Sequence, residues 1–279
     1  MRQSKVLLVI VLYKEQLCST LTWKTLLADC AQSDRISLYV HDNSPSPQTV
    51  STPLCVCYHH DAANSGLSVA YNQAAQYAYE KGYEWMLLLD QDTTFPADAL
   101  NIYLQALDRQ EAKIQVFVPQ LVYQQASRPF SPVRISSCMY AQGVLLNEGI
   151  YAWDRYSVVN SGLCVSTSAF RAAGGYNEKV RLDFADFQFV ERLRRITPGF
   201  SRIGVVAIQA FSNEQRGVDC LLSRYRLYVE SAYHCEKASL RKRIGFFYVV
   251  LRHTLALTLR TKSLSFLSVF GKEYCLRKK

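Results

Sequence analysis

Along the first 120 residues, short apolar runs alternate with longer amphipathic stretches. Residues 6–13 (VLLVIVLY) are an unbroken apolar run, the pattern of a strand buried on both faces of a parallel sheet. Residues 16–32 read as a helix, with Leu17, Leu21, Leu26 and Leu27 as its apolar stripe. A second strand is expected over 36–41, stopping at the turn signal Asp42-Asn43-Ser44-Pro45. A third is expected over 54–59, where the alternation of Cys55 and Cys57 puts both thiols on one face. Residues 65–81 predict a helix closed by Gly82, and 85–89 a fourth strand ended by Asp90-Gln91-Asp92. A helix over 98–110 and a strand over 116–119 follow. Residues 123–160 carry fewer regular signals. Beyond them the pattern predicts strands at 163–167 and 203–207, helices at 168–173 and 183–195, and a largely helical stretch over 219–262.

Strands that alternate with helices imply βαβ units, an α/β fold and a mostly parallel sheet. Ligands of such sheets sit beyond the carboxyl ends of the strands. The polar groups that follow strands are therefore the candidates for chemistry.

Asp90 and Asp92 are the most informative. A buried strand delivers two carboxylates, two positions apart, into one loop, and a buried carboxylate needs a partner. Mg²⁺ typically takes one or two carboxylates together with substrate phosphates. The structural alternative is a capped loop before the 98–110 helix. Asp42 could accept the N3–H of uracil or thymine, or simply close an Asx-turn with Asn43 and Ser44. Asn64-Ser65-Gly66 opens a helix; Asn64 or Ser65 could be its N-cap, and the same helix start could face phosphate. Asn72, eight residues beyond Asn64, could be structural or functional. Asp183 and Asp186 stand at i, i+3 where another helix is expected to begin. An N-cap and an acidic first turn account for both, and a general base is the functional alternative.

Composition sharpens the picture. Of 279 residues, 49% are apolar and 20% charged, enough for a sizeable core and unlike a disordered chain. The net charge of +9 is unevenly placed: residues 1–220 hold 19 Lys/Arg and 20 Asp/Glu, residues 221–279 hold 13 and 3. A neutral body with a basic tail points to an anionic contact, of which a membrane surface is favoured over nucleic acid because no nucleic-acid motif accompanies the charge. The bland alternative is a solvated helical face. The nine cysteines are odd in number and contain no CxxC pair, which suits reduced thiols in the cytosol. The 6–13 run is too short for a membrane span and lacks a cleavage site after Lys14-Glu15, so a strand is expected rather than a signal peptide. No GxxxxGK[ST], GxGxxG after the first strand, HExxH or GxSxG occurs, which argues against P-loop kinases, nicotinamide dehydrogenases, zinc proteases and serine hydrolases.

Six ordered segments together resemble the family 2 glycosyltransferases, especially rhamnosyltransferase-like bacterial members that build O-antigen and capsule: VIVLYKE at 9–15, VHDNSP at 40–45, NSGLSVAYNQA at 64–74, LLLDQDTTF at 87–95, VNSGLCVSTSAFRAAGGYNE at 159–178 and LDFADFQFVERLRR at 182–195. The resemblance covers roughly residues 5–215. It implies a GT-A fold and an inverting displacement that moves a sugar such as rhamnose or galactose from a UDP- or dTDP-linked donor, with Mg²⁺ or Mn²⁺, onto a lipid-linked glycan. By position, Asp42 would bind the nucleobase, Asp90 the ribose or base-side network, and Asp92 the metal and diphosphate. Asn64 and Gly66 would lie on the donor side. Asp186 would be the catalytic base with Asp183 beside it, and Gly174-Gly175-Tyr176 would shape the loop leading to that acid.

Two positions depart from the family pattern. Gln188 stands where an acidic residue often follows the base. Residues 208–212 (IQAFS) lack the histidine often found there, leaving Gln209 to support the phosphates. The expected organisation is a catalytic domain over 1–218, with a donor half of about 1–120 and an acceptor half of about 121–218, then a basic helical segment over 219–279. That segment mixes Phe246, Phe247, Tyr248, Leu251, Leu255 and Leu259 with Arg241, Lys242, Arg243 and Arg252, which suits the cytoplasmic face of the inner membrane. A nucleotidyltransferase, or a non-catalytic nucleotide-sugar-binding assembly protein, is the alternative. Residues 6–15 show no phosphate loop of the first kind.

Overall fold

The computed structural model describes residues 4–28, 35–109, 114–125, 128–136, 141–210 and 217–276. In chain order the strands are β1 (Val6–Leu12), β2 (Ile36–Asp42), β3 (Cys55–His60), β4 (Trp85–Asp90), β5 (Thr93–Thr94), β6 (Val116–Tyr123), β7 (Pro129–Ser131), β8 (Val133–Ile135), β9 (Ala141–Gly143), β10 (Gly149–Ala152), β11 (Tyr156–Ser157), β12 (Leu163–Ser166) and β13 (Gly199–Gln209). The α-helices are α1 (Leu67–Glu80), α2 (Ala99–Arg109), α3 (Thr167–Ala172), α4 (Ala185–Leu193), α5 (Val218–His234), α6 (Leu240–Thr261) and α7 (Ser265–Val269).

The main sheet runs β10-β13-β6-β12-β4-β1-β2-β3. Its β3-β2-β1-β4 half is parallel, and β12 is antiparallel to both neighbours. Alternate side chains serve two cores. Leu7, Val9, Met86 and Leu88 face a core shared with α1, α4, α5 and α6. Leu8, Ile10, Leu87 and Leu89 face a second core closed by α2. Burial on both faces is why these strands read as continuous apolar runs. The C-terminal helices are integral to the first core, through Tyr225, Val229, Phe246, Val250 and Phe266.

Three expectations about local structure are corrected. Residues 16–28 are not one α-helix: a 3₁₀ turn at Leu17–Ser19 precedes a π-type turn at Trp23–Leu27, and residues 29–34 lie outside the described set. Threonine hydroxyls compete with helix geometry here. Thr20 Oγ1 donates to the Leu17 carbonyl and Thr25 Oγ1 to that of Leu21, while Thr22 Oγ1 reaches the carbonyls of Asp90 and Thr93. The apolar stripe survives, with Leu17, Leu26 and Leu27 buried. Cys55 and Cys57 sit on opposite faces, because a bulge between them pairs Leu38 with Cys55 and Tyr39 with Cys57. Neither Asn64 nor Ser65 caps α1: Asn64 is left-handed, and Gly66 holds the N-cap position with no side-chain cap.

Two glycines are required by geometry. Gly66 has φ +101°, and a Cβ there would lie 2.8 Å from the Arg181 carbonyl oxygen. Gly162 has φ +75° and would put a Cβ 2.7 Å from Pro119 Cγ and 3.0 Å from the Tyr103 hydroxyl. Gly162 ends the turn that feeds β12 beside β4, its N–H donating to the Leu88 carbonyl. Gly162→Ala is expected to destabilise the fold by about 1–3 kcal/mol. A thermal midpoint equal to wild type would contradict that.

Candidate functional site

The parallel register sets the site. Leu12 of β1 pairs with Asp42 of β2, and Val11 with Asp90 of β4, so both acids stand at the carboxyl edge of the sheet on either side of β1. The antiparallel β12 brings its preceding turn, Asn160-Ser161-Gly162, alongside Asp90. The first turn of α4 supplies Asp186.

Asp186 and Asp90 are joined through two neutral side chains. Asn160 is satisfied with its oxygen accepting from Tyr71 Oη at 2.8 Å and its nitrogen donating to both Asp186 oxygens at 3.0 and 3.2 Å. Asp90 Oδ1 lies 3.4 Å from the same Tyr71 hydroxyl. Burial, reinforced by Asp90, pushes the Asp186 carboxyl up to about 8. Burial, reinforced by Asp92, pushes Asp90 up to about 7. Both carboxyls thus hold their protons more tightly than a free aspartic acid does, burial being the main cause in each.

Asp92 is positioned differently. Its Oδ1 accepts from Gln209 Nε2 at 2.6 Å, and Gln209 Oε1 accepts from Thr93 Oγ1 at 2.8 Å. Thr93 Oγ1 lies 2.6 Å from Ser161 Oγ. Gln209, the last residue of β13, thus orients Asp92, and its amide is engaged by protein groups on both sides. The loop is tied further by Tyr13 N–H to Gln91 Oε1 (2.8 Å) and by Leu21 N–H to the Gln91 carbonyl (3.0 Å). Burial raises the Asp92 carboxyl, and the charge of Glu15 adds to it. The donor set of Asp92 and Asp90 suits a hard divalent cation, which would offset the repulsion between these acids and from Glu15. Among the described residues no cluster of three His, Cys, Asp or Glu supplies a complete protein shell, so substrate oxygens would have to complete it.

Asp42 forms the Asx-turn that its sequence context allows. Oδ1 accepts from the Ser44 N–H at 2.9 Å; Oδ2 accepts from Tyr58 Oη at 2.8 Å and Gln48 Nε2 at 3.0 Å. Burial opposes its charge, yet the bonds from Ser44, Tyr58 and Gln48 outweigh that and hold the carboxyl below its ordinary value. A nucleobase would therefore share this carboxylate with Tyr58 and Gln48. Asp42→Ala leaves three donors without their acceptor and is expected to cost about 1–3 kcal/mol. Because the folded-state value is depressed, Asp42 stabilises the fold above the ordinary value of 3.8 and loses that effect as pH falls through the folded value. The gap in thermal midpoint between wild type and variant should shrink in acid. A gap that is constant with pH would contradict the assignment.

The helix start at 64–67 is tied to protein. Ser65 N–H donates to Asp61 Oδ2 (2.7 Å), Leu67 N–H to the Arg181 carbonyl (3.0 Å), and the Arg181 guanidinium to the Asn64 carbonyl. Asn64 and Gly66 thereby anchor the segment leading to Asp183. Asn72 is structural. Its side chain accepts the Tyr176 N–H (2.8 Å) and donates to the Tyr176 carbonyl (3.0 Å). Arg192 donates to the carbonyls of Gly174 and Gly175, and Tyr176 stacks on Phe189 at 4.3 Å.

Asp183 and Asp186 stand on either side of the start of α4 but take different partners. The helix begins at Ala185 after a left-handed Phe184, so Asp186 lies in its first turn and Asp183 just before it, close enough for the charge of Asp183 to add to the rise of the Asp186 carboxyl. Asp183 pairs with Arg224 of α5 in a two-pronged ion pair, whereas Asp186 faces Asn160. Sequence reasoning missed Asn160, Tyr71 and Arg224. The Asn-Ser-Gly turn before β12 was a visible signal for the first; the other two looked like core and basic tail.

Residues 8–153, more than half of the chain, match the family described as Glycosyl transferase family 2. The chain belongs to that family. Among curated proteins it is similar to the dTDP-rhamnosyl transferase RfbF of Shigella flexneri, 24% identical over 129 residues, or 46% of this chain and 43% of the relative. The chain thus matches less than half the length of that relative. Among solved structures it resembles GalNAc-T7 with UDP, GalNAc and Mn²⁺ (TM-score 0.58, 13% identity, 99% of this chain and 59% of that one). It also resembles residues 1–349 of S. aureus TarS with UDP-GlcNAc (TM-score 0.56, 12% identity, 96% of this chain and 80% of that one). These likenesses establish the GT-A fold for this family 2 member.

Proposed function

We propose that this chain is an inverting glycosyltransferase that moves a sugar from a UDP- or dTDP-linked donor to a hydroxyl of a lipid-linked glycan. The observation that carries the reading is the Asp186 carboxyl, fixed by Asn160 across from Asp90 and raised to a basicity suited to deprotonating an alcohol near neutral pH. Asp42 meets the nucleobase edge, Asp90 the ribose side, and Asp92 the diphosphate end. Asn64 and Gly66 hold the donor-side loop. Asp183, paired with Arg224, keeps the approach to Asp186 in place.

Asp92, with Asp90 behind it, would hold Mg²⁺ or Mn²⁺, whose chemistry is to neutralise charge growing on the departing diphosphate. The protein's own work is positional. Gln209 and Thr93 fix Asp92, Asn160 fixes Asp186, and an acceptor hydroxyl aligned behind the anomeric carbon loses its proton to Asp186 as the bond to the diphosphate breaks. Similarity to a dTDP-rhamnosyl transferase and to proteins bound to UDP or UDP-GlcNAc supports a nucleotide-sugar donor.

In this reading residues 1–120 serve the donor, 121–218 the acceptor, and the helices from 219 onward the membrane surface. Among the described residues no helix is long and apolar enough to cross a bilayer. Ile244, Phe247, Tyr248, Leu255 and Leu259 are exposed on α6 beside exposed Arg241, Arg243 and Arg252, whereas Phe246 is buried and Leu251 packs on the core. That outer face suits peripheral contact with an anionic cytoplasmic leaflet. The test is transfer itself: release of UDP or dTDP from each donor sugar, with membrane extract as acceptor source, should depend on both substrates. Acceptor-independent behaviour with every donor would overturn the reading.

A further inference from the structure

Behind the face of α4 that carries Asp186, a cavity of about 450 Å³ opens between β8–β9, α4 and the α5–α6 junction. That volume falls within the range of roughly 300–1,000 Å³ usual for small-molecule sites. Its apolar wall includes Phe184, Phe187 and Phe246. Its polar side includes Gln188, Arg194 and Lys242.

Two buried N–H donors on the polar side lack acceptors among the described residues, while the remaining Arg194 nitrogens and Lys242 Nζ are bonded to Glu191 and to the Tyr156 carbonyl. Gln188 is 6% exposed; its oxygen is held by Asn177 (3.4 Å), and its Nε2 finds no acceptor among the described residues. Arg194 Nε is likewise without an acceptor there. Four cations line the space against two carboxylates. Both carboxylates are already engaged, Glu191 by Arg194 and Lys242 and Glu236 by Arg192. Buried N–H donors call for oxygen acceptors, and surplus positive charge calls for anionic ones. The aromatic wall calls for an apolar group attached to that anion.

We propose that this cavity binds the phosphate-bearing end of a lipid, with a phosphate or diphosphate ester on Gln188, Arg194 and Lys242 and the first part of the chain against Phe184, Phe187 and Phe246. Its place in the reaction, as the subsite that holds the acceptor's anchor while Asp186 meets its sugar, rests on the glycosyl-transfer reading; the binding itself does not.

The test uses farnesyl diphosphate as a soluble probe, with farnesol and inorganic pyrophosphate as its separated halves. The full chain, Gln188→Leu and Lys242→Ala are each titrated with all three, and with UDP and dTDP. Saturable binding of farnesyl diphosphate is expected, with each half roughly tenfold or more weaker and each variant weakened by roughly tenfold, while nucleotide binding is unchanged. No saturable binding, wild-type affinity in both variants, competition with the nucleotide, or equal binding to phosphatidylglycerol vesicles would overturn the cavity assignment. Farnesyl diphosphate binding in a chain that takes no nucleotide would support the cavity and count against the transfer reading.

Discussion

Asp186→Asn is expected to lower turnover by roughly 10²–10⁴-fold while leaving donor affinity nearly unchanged. The amide keeps the shape of the carboxyl and, through its one oxygen, one of the two bonds from Asn160, but it accepts no proton from an alcohol. The same substitution should stabilise the unliganded protein. Asp186 is raised from 3.8 to about 8, so the folded state binds more protons than the unfolded state between those values. Wild-type stability therefore falls as pH rises from about 4 to about 8, and Asp186→Asn removes that loss. The thermal midpoint of the variant relative to wild type should increase across this window. Catalytic loss with a midpoint difference that is flat in pH would place Asp186 outside the buried pair. Near-normal turnover would reject it as the base.

Asp92→Ala is expected to weaken nucleotide binding in the presence of Mn²⁺ or Mg²⁺ by roughly tenfold or more, and to leave the residual affinity indifferent to chelator. Asp92 is the acid with its second oxygen free of the protein bonds described above, since Gln209 donates to Oδ1. Gln209→Ala tests the positioning role separately. It should reproduce part of the Asp92→Ala defect, because Asp92 loses the bond that orients it. Unchanged metal-linked affinity in Asp92→Ala would remove Asp92 from the diphosphate end.

The sheet was legible because β1, β2 and β4 are buried on both faces and show it as apolar runs, with polar residues where the strands stop at Asp42 and Asp90. Residues 16–28 misled because leucine spacing is blind to threonine hydroxyls; Thr22 serves the carbonyls after β4 rather than a helix. The bulge between Cys55 and Cys57 is equally invisible to a period of two. The acids of the site could be named in advance, but not their arrangement. Asn160 meets Tyr71 from 89 positions away, and Gln209 meets Asp92 from 117, distances over which only the folded sheet sets proximity. The different partners of Asp183 and Asp186 are equally hidden: Arg224 meets Asp183 from 41 positions away, and the left-handed conformation of Phe184 between the two acids is one that bulky side chains rarely adopt and that spacing alone does not announce.

Binding of a nucleotide sugar at the carboxyl edge bounded by Asp42, Asp90 and Asp92 is central to this account. Titration calorimetry of UDP- and dTDP-sugars against the folded chain, with Mn²⁺ and then with chelator, tests it most directly. The expected result is saturable binding of one donor class that chelator weakens and Asp92→Ala abolishes or reduces. Donor binding that ignores both the metal and Asp92, or no binding by any donor, would contradict it.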